Sequence, residues 1–352
     1  MNMNSTVPAG CYSAMPTTPL QPAPTPTAPM TPLKSAPMPA VPTMPLQSAP
    51  MMPAVPTMPL QPAPMMPAVA TMPLQSAPMP AVSTMPLQQP APPFAVPVHE
   101  VWADNFHDVE AAIGYFAAHA RCVAVDVHYP GVVHGAADHH HLHDLVALTA
   151  EQRYATVKAN VDALKPLQLG LAVVTDDGMV AAWEFNLSDF DPAVDPHAAS
   201  SVSYLRGRGL RCDDLRLRGI PVAKLTRALR LISRPGVSWV THTGAYHVAY
   251  LMKVVSGGNK LAGDVAGFMA AVRRSLGEDV YDVATMASDC RDMPVGLEGI
   301  ASRLGVAPPL SMHPLAGAGS VLALGAFMKL RFHVFRGNVA RYRGVLQGLQ
   351  AA

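Results

Sequence analysis

The pattern of apolar and polar positions changes once along the chain, near residue 98. In 1–97 proline recurs about every third or fourth residue, and no apolar stripe of helical or strand period develops. Because proline fixes φ and removes a backbone donor, we expect 1–97 to be an extended, disordered Pro/Met-rich arm of polyproline II character. In 98–352 apolar positions follow the periods of helices and strands, and this length is sufficient for one α/β domain with a substantial core.

Strands are predicted in four places within the second part. Residues 122–129 are almost continuously apolar, as in a strand buried on both faces. The segments 167–175 and 181–187 flank Asp176-Asp177-Gly178, a composition typical of a hairpin turn. A further short strand is predicted over 237–241, directly before a helical pattern.

Helical periodicity predicts the other elements of the domain. Asn105 and Asp108 have the spacing of a capping box at the start of the first helix. The strands come early and one strand lies among the helices, so the sequence predicts a mixed α/β sheet flanked by helices. The predicted helices cover 106–118, 154–164, 221–232, 245–256, 264–275, 283–289, 296–304 and 317–334.

Charge and cysteine content narrow the function classes. The arm carries one charged residue, Lys34, whereas the rest of the chain balances 24 basic against 24 acidic residues. This balance disfavours a protein that binds nucleic acid mainly by neutralising phosphates, although the arginines of 206–218 leave a local basic patch open. The four cysteines lack the spacing of a disulfide framework or a zinc site, so we expect reduced thiols. No apolar run reaches the roughly 20 residues of a membrane span.

The arm contains an internal repeat. Met-Pro-Leu-Gln begins at Met44, Met58, Met72 and Met85. Two interpretations stand beside each other: a tandemly duplicated linker, which composition favours, or segments whose methionine and leucine side chains dock into an aromatic groove of a partner.

Several segments of 98–335 are similar to one protein family. They occur in the family's order with few gaps, and the arm has no counterpart there. The segments are Val101-Trp-Ala-Asp-Asn105, Val123-Ala-Val-Asp126, Tyr129-Pro-Gly-Val-Val133, Tyr154-Ala-Thr-Val-Lys-Ala-Asn-Val-Asp-Ala-Leu-Lys165, Leu167-Gln-Leu-Gly-Leu171, Trp183-Glu-Phe-Asn186, Tyr281-Asp-Val283 and Gly296-Leu-Glu-Gly-Ile-Ala301. Through them the chain resembles the poly(A) deadenylase subunit of the CCR-NOT complex, the CCR-associated-factor or Pop-type ribonucleases.

The resemblance implies an RNase H-like fold of the DEDD exonuclease type and 3′-to-5′ removal of poly(A) tails. It implies two divalent ions, Mg²⁺ or Mn²⁺, held by four carboxylates, with a histidine as general base. The implied partners are the CCR-NOT scaffold, a CCR-type nuclease subunit and poly(A) RNA. The reduced thiols expected above agree with a location in the cytoplasm and nucleus.

The family's site residues are only partly present in this chain. The first carboxylate is Asp126, but the second position holds His128 and the third holds His247. The fourth position is Gly319, which has no side chain to offer a metal. The general-base position holds a proline, and His313 lies one residue before it.

Three functional hypotheses follow from this pattern. The first is a pseudonuclease that acts as a non-catalytic subunit of the complex. The second is a weak poly(A) ribonuclease in which Asp126, His128 and His247 hold zinc or another transition metal, since imidazole suits such ions better than Mg²⁺. The third is a decayed gene product. The clustered His139, His140, His141 and His143 are either a second metal-binding segment or, as we favour, a solvated loop.

Overall fold

The computed structural model describes residues 95–135, 148–234, 236–311, 313 and 315–350. The Pro/Met-rich arm, apart from its last three residues, lies outside the described residues, and so does the cluster of His139, His140, His141 and His143. The predictions for these two segments therefore stay predictions.

In the described part, six strands form one mixed sheet in the order β1-β4-β3-β2-β5-β6. Strands β2, β3 and β4 are antiparallel neighbours, whereas β1 pairs with β4, and β5 with β2 and β6, in parallel. The predicted mixed sheet is confirmed. The strands are β1 (Val98–Val101), β2 (Ala120–His128), β3 (Gln168–Thr175), β4 (Val180–Asn186), β5 (Ser238–Thr241) and β6 (Val280–Asp282).

Helices flank this sheet, as predicted. None of those in the described residues is both long and apolar enough to cross a bilayer. They are α1 (Phe106–His119), α2 (Ala150–Ala163), α3 (Ala199–Gly207), α4 (Cys212–Arg218), α5 (Val222–Ile232), α6 (Gly244–Val255), α7 (Val265–Leu276), α8 (Val283–Ser288), α9 (Leu297–Arg303) and α10 (Ala316–Lys329), which continues into the π-helical turn Leu330–Val334.

Strand β2 separates two hydrophobic layers because its side chains alternate between the faces of the sheet. Val123, Val125 and Val127 are at most 1% exposed and pack in the layer built mainly from α1, α2, α5, α6 and α7. Cys122 and Ala124 face the other layer, which contains α8 and α10. By the same alternation Asp126 and His128 extend this second face toward the end of β2.

The predicted cap of α1 and the predicted first residue of α2 are wrong, although α1 begins at Phe106 as predicted. Asn105 makes no side-chain cap to α1. Its side chain accepts a hydrogen bond from the Trp102 backbone and donates one to the Glu100 carbonyl, so it closes the turn after β1 instead. Helix α2 begins at Ala150 rather than 154 because Thr149 and Gln152 form a reciprocal capping box.

Candidate functional site

Asp126 and His247 form the centre of the site. Asp126 lies near the end of β2, and His247 lies in the first turn of α6, which follows β5 directly. Because β5 pairs with β2 in parallel, the start of α6 lies beside the end of β2. His247 Nδ1 is 3.0 Å from Asp126 Oδ1, which makes an ion-pair contact, although the ring is not oriented for a well-directed hydrogen bond.

The charges of this pair support each other. Burial works to raise the pKa of Asp126, but His247, His128 and His242 bring it below its ordinary value. Burial likewise opposes protonation of His247, yet Asp126 and Asp282 hold its pKa above the ordinary value. Each of the two side chains therefore favours the charged form of the other.

Two further histidines adjoin Asp126. His128 Nε2 is 3.8 Å from Asp126 Oδ2. His242, which sequence reasoning missed, lies at the end of β5 and lines a cavity together with Asp126 and His128. Burial lowers the pKa of His128, and it lowers that of His242 to about 4, so both rings are neutral at neutral pH.

Gly319 lies directly against Asp126. A Cβ built on Gly319 would be 2.0 Å from Asp126 Oδ2, so the carboxylate fills the space that a side chain at 319 would need. Helix α10 approaches the sheet this closely because β3 has Gly170 opposite its first turn, where a Cβ would meet the Ala316 carbonyl at 1.8 Å. The glycines at 170 and 319 therefore form one packing arrangement around Asp126.

Glu184 is a buried carboxyl that sequence reasoning also missed. Asp126 on β2, Gly170 on β3 and Glu184 on β4 are in register, so both carboxyls project toward α10 with only a glycine between them. Glu184 accepts hydrogen bonds from the Gly317 backbone at 2.8 Å and from Gln168 Nε2 at 3.1 Å. Burial raises its pKa to about 7.

Asp282 holds the helix that carries His247. It is fully buried, and its carboxylate accepts hydrogen bonds from backbone amides of Thr243, Gly244, Ala284 and Gln347 at 2.6–3.0 Å. These contacts join the start of α6, the start of α8 and the C-terminal segment. Asp282 therefore positions the site without touching it through a hydrogen bond.

His313 lies against the loop that follows α3 rather than beside Asp126. A Cβ on Gly209 would be 2.4 Å from its Nδ1, which places the ring on that backbone. Within the described residues His313 makes no hydrogen bond or ion pair with Asp126, His128 or His247, and it lines neither cavity that contains Asp126. Its role as a general base stays a prediction.

Two adjoining cavities, of about 380 and 670 Å³, open around the site. Asp126, His128 and Arg208 line both of them. His242 and Glu298 line the smaller cavity, whereas His247 and Tyr204 line the larger one. The site is thus accessible from solvent through a divided cleft.

The arginines near α3 and α4 do not form a free basic patch. Four of them pair with carboxylates: Arg208 with Glu298, Arg211 with Glu100 and Asp214, Arg216 with Asp191, and Arg218 with Asp104. Their charges are therefore largely balanced on the surface.

Among the residues that the structure describes, no group of three or more His, Cys, Asp or Glu side chains is arranged to hold a metal ion. Asp126, His128 and His247 do lie together, with the two contacts given above. Their use as metal ligands stays a prediction.

Comparison with known proteins gives a consistent result. The family model described as CAF1 family ribonuclease matches residues 101–228. The Arabidopsis thaliana protein named Probable CCR4-associated factor 1 homolog 10 is 30% identical over 72% of this chain and 93% of its own length. CCR4-NOT transcription complex subunit 7 of Caenorhabditis elegans is 28% identical over 69% of this chain and 79% of its own length.

Solved structures agree with these sequence matches. S. pombe Pop2p in its Mg²⁺- and Mn²⁺-bound form has a TM-score of 0.63 and 26% identity, over 72% of this chain and all of its own. CAF1 crystallised with the yeast NOT1 MIF4G domain has a TM-score of 0.56 and 23% identity, over 71% of this chain and 96% of its own, which shows the shared fold.

Proposed function

The chain belongs to the CAF1 ribonuclease family, and we propose that it is a member with little or no nuclease activity, acting as a non-catalytic subunit of the CCR4-NOT complex in cytoplasm and nucleus. One relative carries the name of a CCR4-NOT subunit. The sheet and its flanking helices are present in the described residues, which supports a folded domain.

The observation that carries the proposal is the packing of Asp126 against Gly319 and His247. The fourth carboxylate implied for the family has no side chain at 319, and the Asp126 carboxylate fills its place. The third is replaced by His247, which brings no negative charge to a metal and whose Nδ1 lies 3.0 Å from Asp126 Oδ1.

These residues do not fit a pair of Mg²⁺ or Mn²⁺ ions. Such hard ions need several oxygen ligands and a strongly negative site. This site offers one carboxylate, Asp126, beside His247, and Glu184 is engaged with Gly317 and Gln168. We therefore derive no reaction step through metal ions.

The partner part of the proposal is tested by co-assembly. The MIF4G domain of NOT1 is the ligand to use, because a CAF1 of this fold was crystallised with it. The full chain, immobilised, is expected to retain purified MIF4G at micromolar concentration, as in standard transient interfaces. Retention should be equal for wild type and Asp126→Ala, since Asp126 lies inside the cleft. Failure of a folded chain to bind would refute the subunit assignment.

A second candidate is a weak ribonuclease with a transition-metal site, favoured by the proximity of His128 and His247 to Asp126. Equilibrium dialysis against Zn²⁺ and Mn²⁺ decides between the two. The proposal predicts that neither ion binds at one per chain, and that the amount bound is the same in wild type and in His247→Ala. One ion per chain in wild type and none in His247→Ala would favour the second candidate.

A further inference from the structure

The segment that joins the Pro/Met-rich arm to β1 pairs with the loop before α10. Pro97 and Leu310 form a parallel bridge, in which the Leu310 amide donates to the Val96 carbonyl at 2.9 Å and the Val98 amide donates to the Leu310 carbonyl at 3.1 Å. Because the two segments run in parallel, the residues before Val96 continue in the direction of the residues before Leu310. In the same register, residue 94 would lie opposite residue 307.

A cavity of about 430 Å³ opens beside this loop, at 306–309. Its walls come mainly from apolar residues of α9, α10 and the loop, among them Ala301 and Leu322. Glu298 is the only charged side chain among the described residues that line it, and that carboxylate is already paired with Arg208. The cavity therefore suits an uncharged apolar side chain, and its volume lies in the range of ordinary ligand pockets.

The alternation of side chains predicts that residue 94 points toward this cavity. In an extended segment, alternate side chains share one face. Val96 and Val98 both pack against the hydrophobic layer that contains α10, and a Cβ on Gly317 in that helix would collide with the Val98 side chain. Residue 94 is the next member of this row, and α10 also lines the cavity. The residue at this position is Phe94, the only aromatic residue between Tyr12 and the domain.

The chain itself is a better occupant of the cavity than a separate partner. Phe94 lies two residues before the paired Val96, so its effective concentration at the cavity far exceeds that of a free molecule. The segment 89–97 carries no charge, which matches the apolar walls. Prolines at 92–93 and 308–309 remove the amide donors that would extend the backbone pairing, so a side chain must hold the segment in place.

We propose that Phe94 fills this cavity and anchors the arm to the domain at the side of the cleft. The ring continues the apolar row of Val96 and Val98 and packs between α9 and α10. Glu298, Ala318 and Leu322 also line the smaller cavity around Asp126, so the anchored ring covers a wall that the two cavities share. The anchor is independent of whether the domain cleaves RNA.

The test is photo-crosslinking of the full chain with p-benzoylphenylalanine in place of Phe94. Dilute protein is irradiated and digested, and the adducts are mapped by mass spectrometry. The expected adducts join position 94 to Ala301, Ser302 or Leu322 within one molecule. The same probe in place of Leu87 should give these adducts with a yield lower by about fivefold or more, because a longer segment separates it from the paired Val96.

A variant that fills the cavity supplies the second measurement. Ser302 is exposed and lines the cavity, so the ring of Ser302→Trp can occupy it from the rim. With the probe at position 94, this variant should lower the yield of adducts at Leu322 by about fivefold or more, because the pocket is blocked. Arg303→Trp is the matched control, because Arg303 is the next exposed residue of α9 but does not line the cavity. It should leave the yield unchanged.

Three results would overturn the anchor. One is a folded chain whose probe at position 94 gives no adducts with the cavity, or gives them no more often than the probe at position 87. Another is an equal yield in Ser302→Trp and Arg303→Trp. The third is adducts that form between molecules in a mixture of isotopically light and heavy chains, which would show that the cavity takes the arm of a second copy.

Discussion

The Asp126 carboxylate occupies the place where a side chain of residue 319 would begin. Its Oδ2 would lie 2.0 Å from a Cβ on Gly319. The absence of a side chain at 319 and the position of Asp126 are thus one packing arrangement, so adding a side chain at 319 disturbs Asp126.

This relationship predicts the effect of alanine at position 319. An alanine in a helix normally stabilises it by about 1 kcal/mol relative to glycine. Gly319→Ala should instead destabilise the protein by about 1–3 kcal/mol, because Asp126 must move away from its contact with His247. Urea unfolding measures the difference.

Gly114→Ala in α1 is the matched control, since a Cβ there meets nothing within 4 Å. Gly114→Ala should raise the free energy of unfolding by about 1 kcal/mol, the normal gain when alanine replaces glycine in a helix. An equal gain at position 319 would show that Asp126 is not held in place.

The contact between Asp126 and His247 should stabilise the protein only within a limited range of pH. Because folding lowers the pKa of Asp126, the ionised carboxylate stabilises the protein at pH values above the pKa of Asp126 in the unfolded chain. This contribution is lost as the pH falls through the pKa in the folded state. Because folding raises the pKa of His247, the protonated ring stabilises the protein at pH values below the pKa of His247 in the unfolded chain. This contribution is lost as the pH rises through the pKa in the folded state. A double-mutant cycle with Asp126→Asn and His247→Asn should give a coupling of about 1–3 kcal/mol inside this window. A coupling independent of pH would contradict the ionised pair.

Much of the fold followed from local patterning. The helix over 106–118, the hairpin and the short strand over 237–241 were predicted to within two residues, because each has a strong period or turn signal. Strands β1 and β6, of four and three residues, were not predicted, since so short a segment carries no readable alternation. Helices α3 and α4 were not predicted either, because segments of nine and seven residues are too short to show a clear helical period.

The site was predicted only where the chain is similar to its family. Asp126, His128, His247 and Gly319 followed from matching positions. Glu184 could not be found in this way, because its position facing α10 depends on the register of three strands with Gly170 between two carboxyls. His242 and Arg208 likewise become site residues only through tertiary packing.

The raised pKa of Glu184 leads us to expect that the protein loses stability as the pH rises. Its folded pKa, about 7, lies above the ordinary 4.5, so the folded state retains a proton that the unfolded chain releases. The free energy of unfolding should therefore fall between roughly pH 4.5 and 7, by about 3 kcal/mol for this group. Urea unfolding of Glu184→Gln across this range should lack that part of the decline. Parallel curves for wild type and variant would show that Glu184 ionises normally.

We expect that replacing Asp282 strongly lowers the free energy of unfolding. Asp282→Ala leaves four backbone amides without their acceptor, and we expect a loss of about 3 kcal/mol or more. Asp264, which caps α7 through a single bond to Gly267, is the control, and Asp264→Ala should cost about 1 kcal/mol. Similar losses for the two variants in urea unfolding would contradict the positioning role.

The most direct test of the central claim is a time course with a labelled oligo(A) substrate. The full chain is incubated in Mg²⁺, Mn²⁺ or Zn²⁺ beside Asp126→Ala, with circular dichroism showing that both are folded. The proposed packing of Asp126 with His247 and Gly319 predicts no shortening by either protein in any of the three ions. Shortening by wild type but not by Asp126→Ala would show that the site still catalyses hydrolysis, and would contradict the assignment as a non-catalytic subunit.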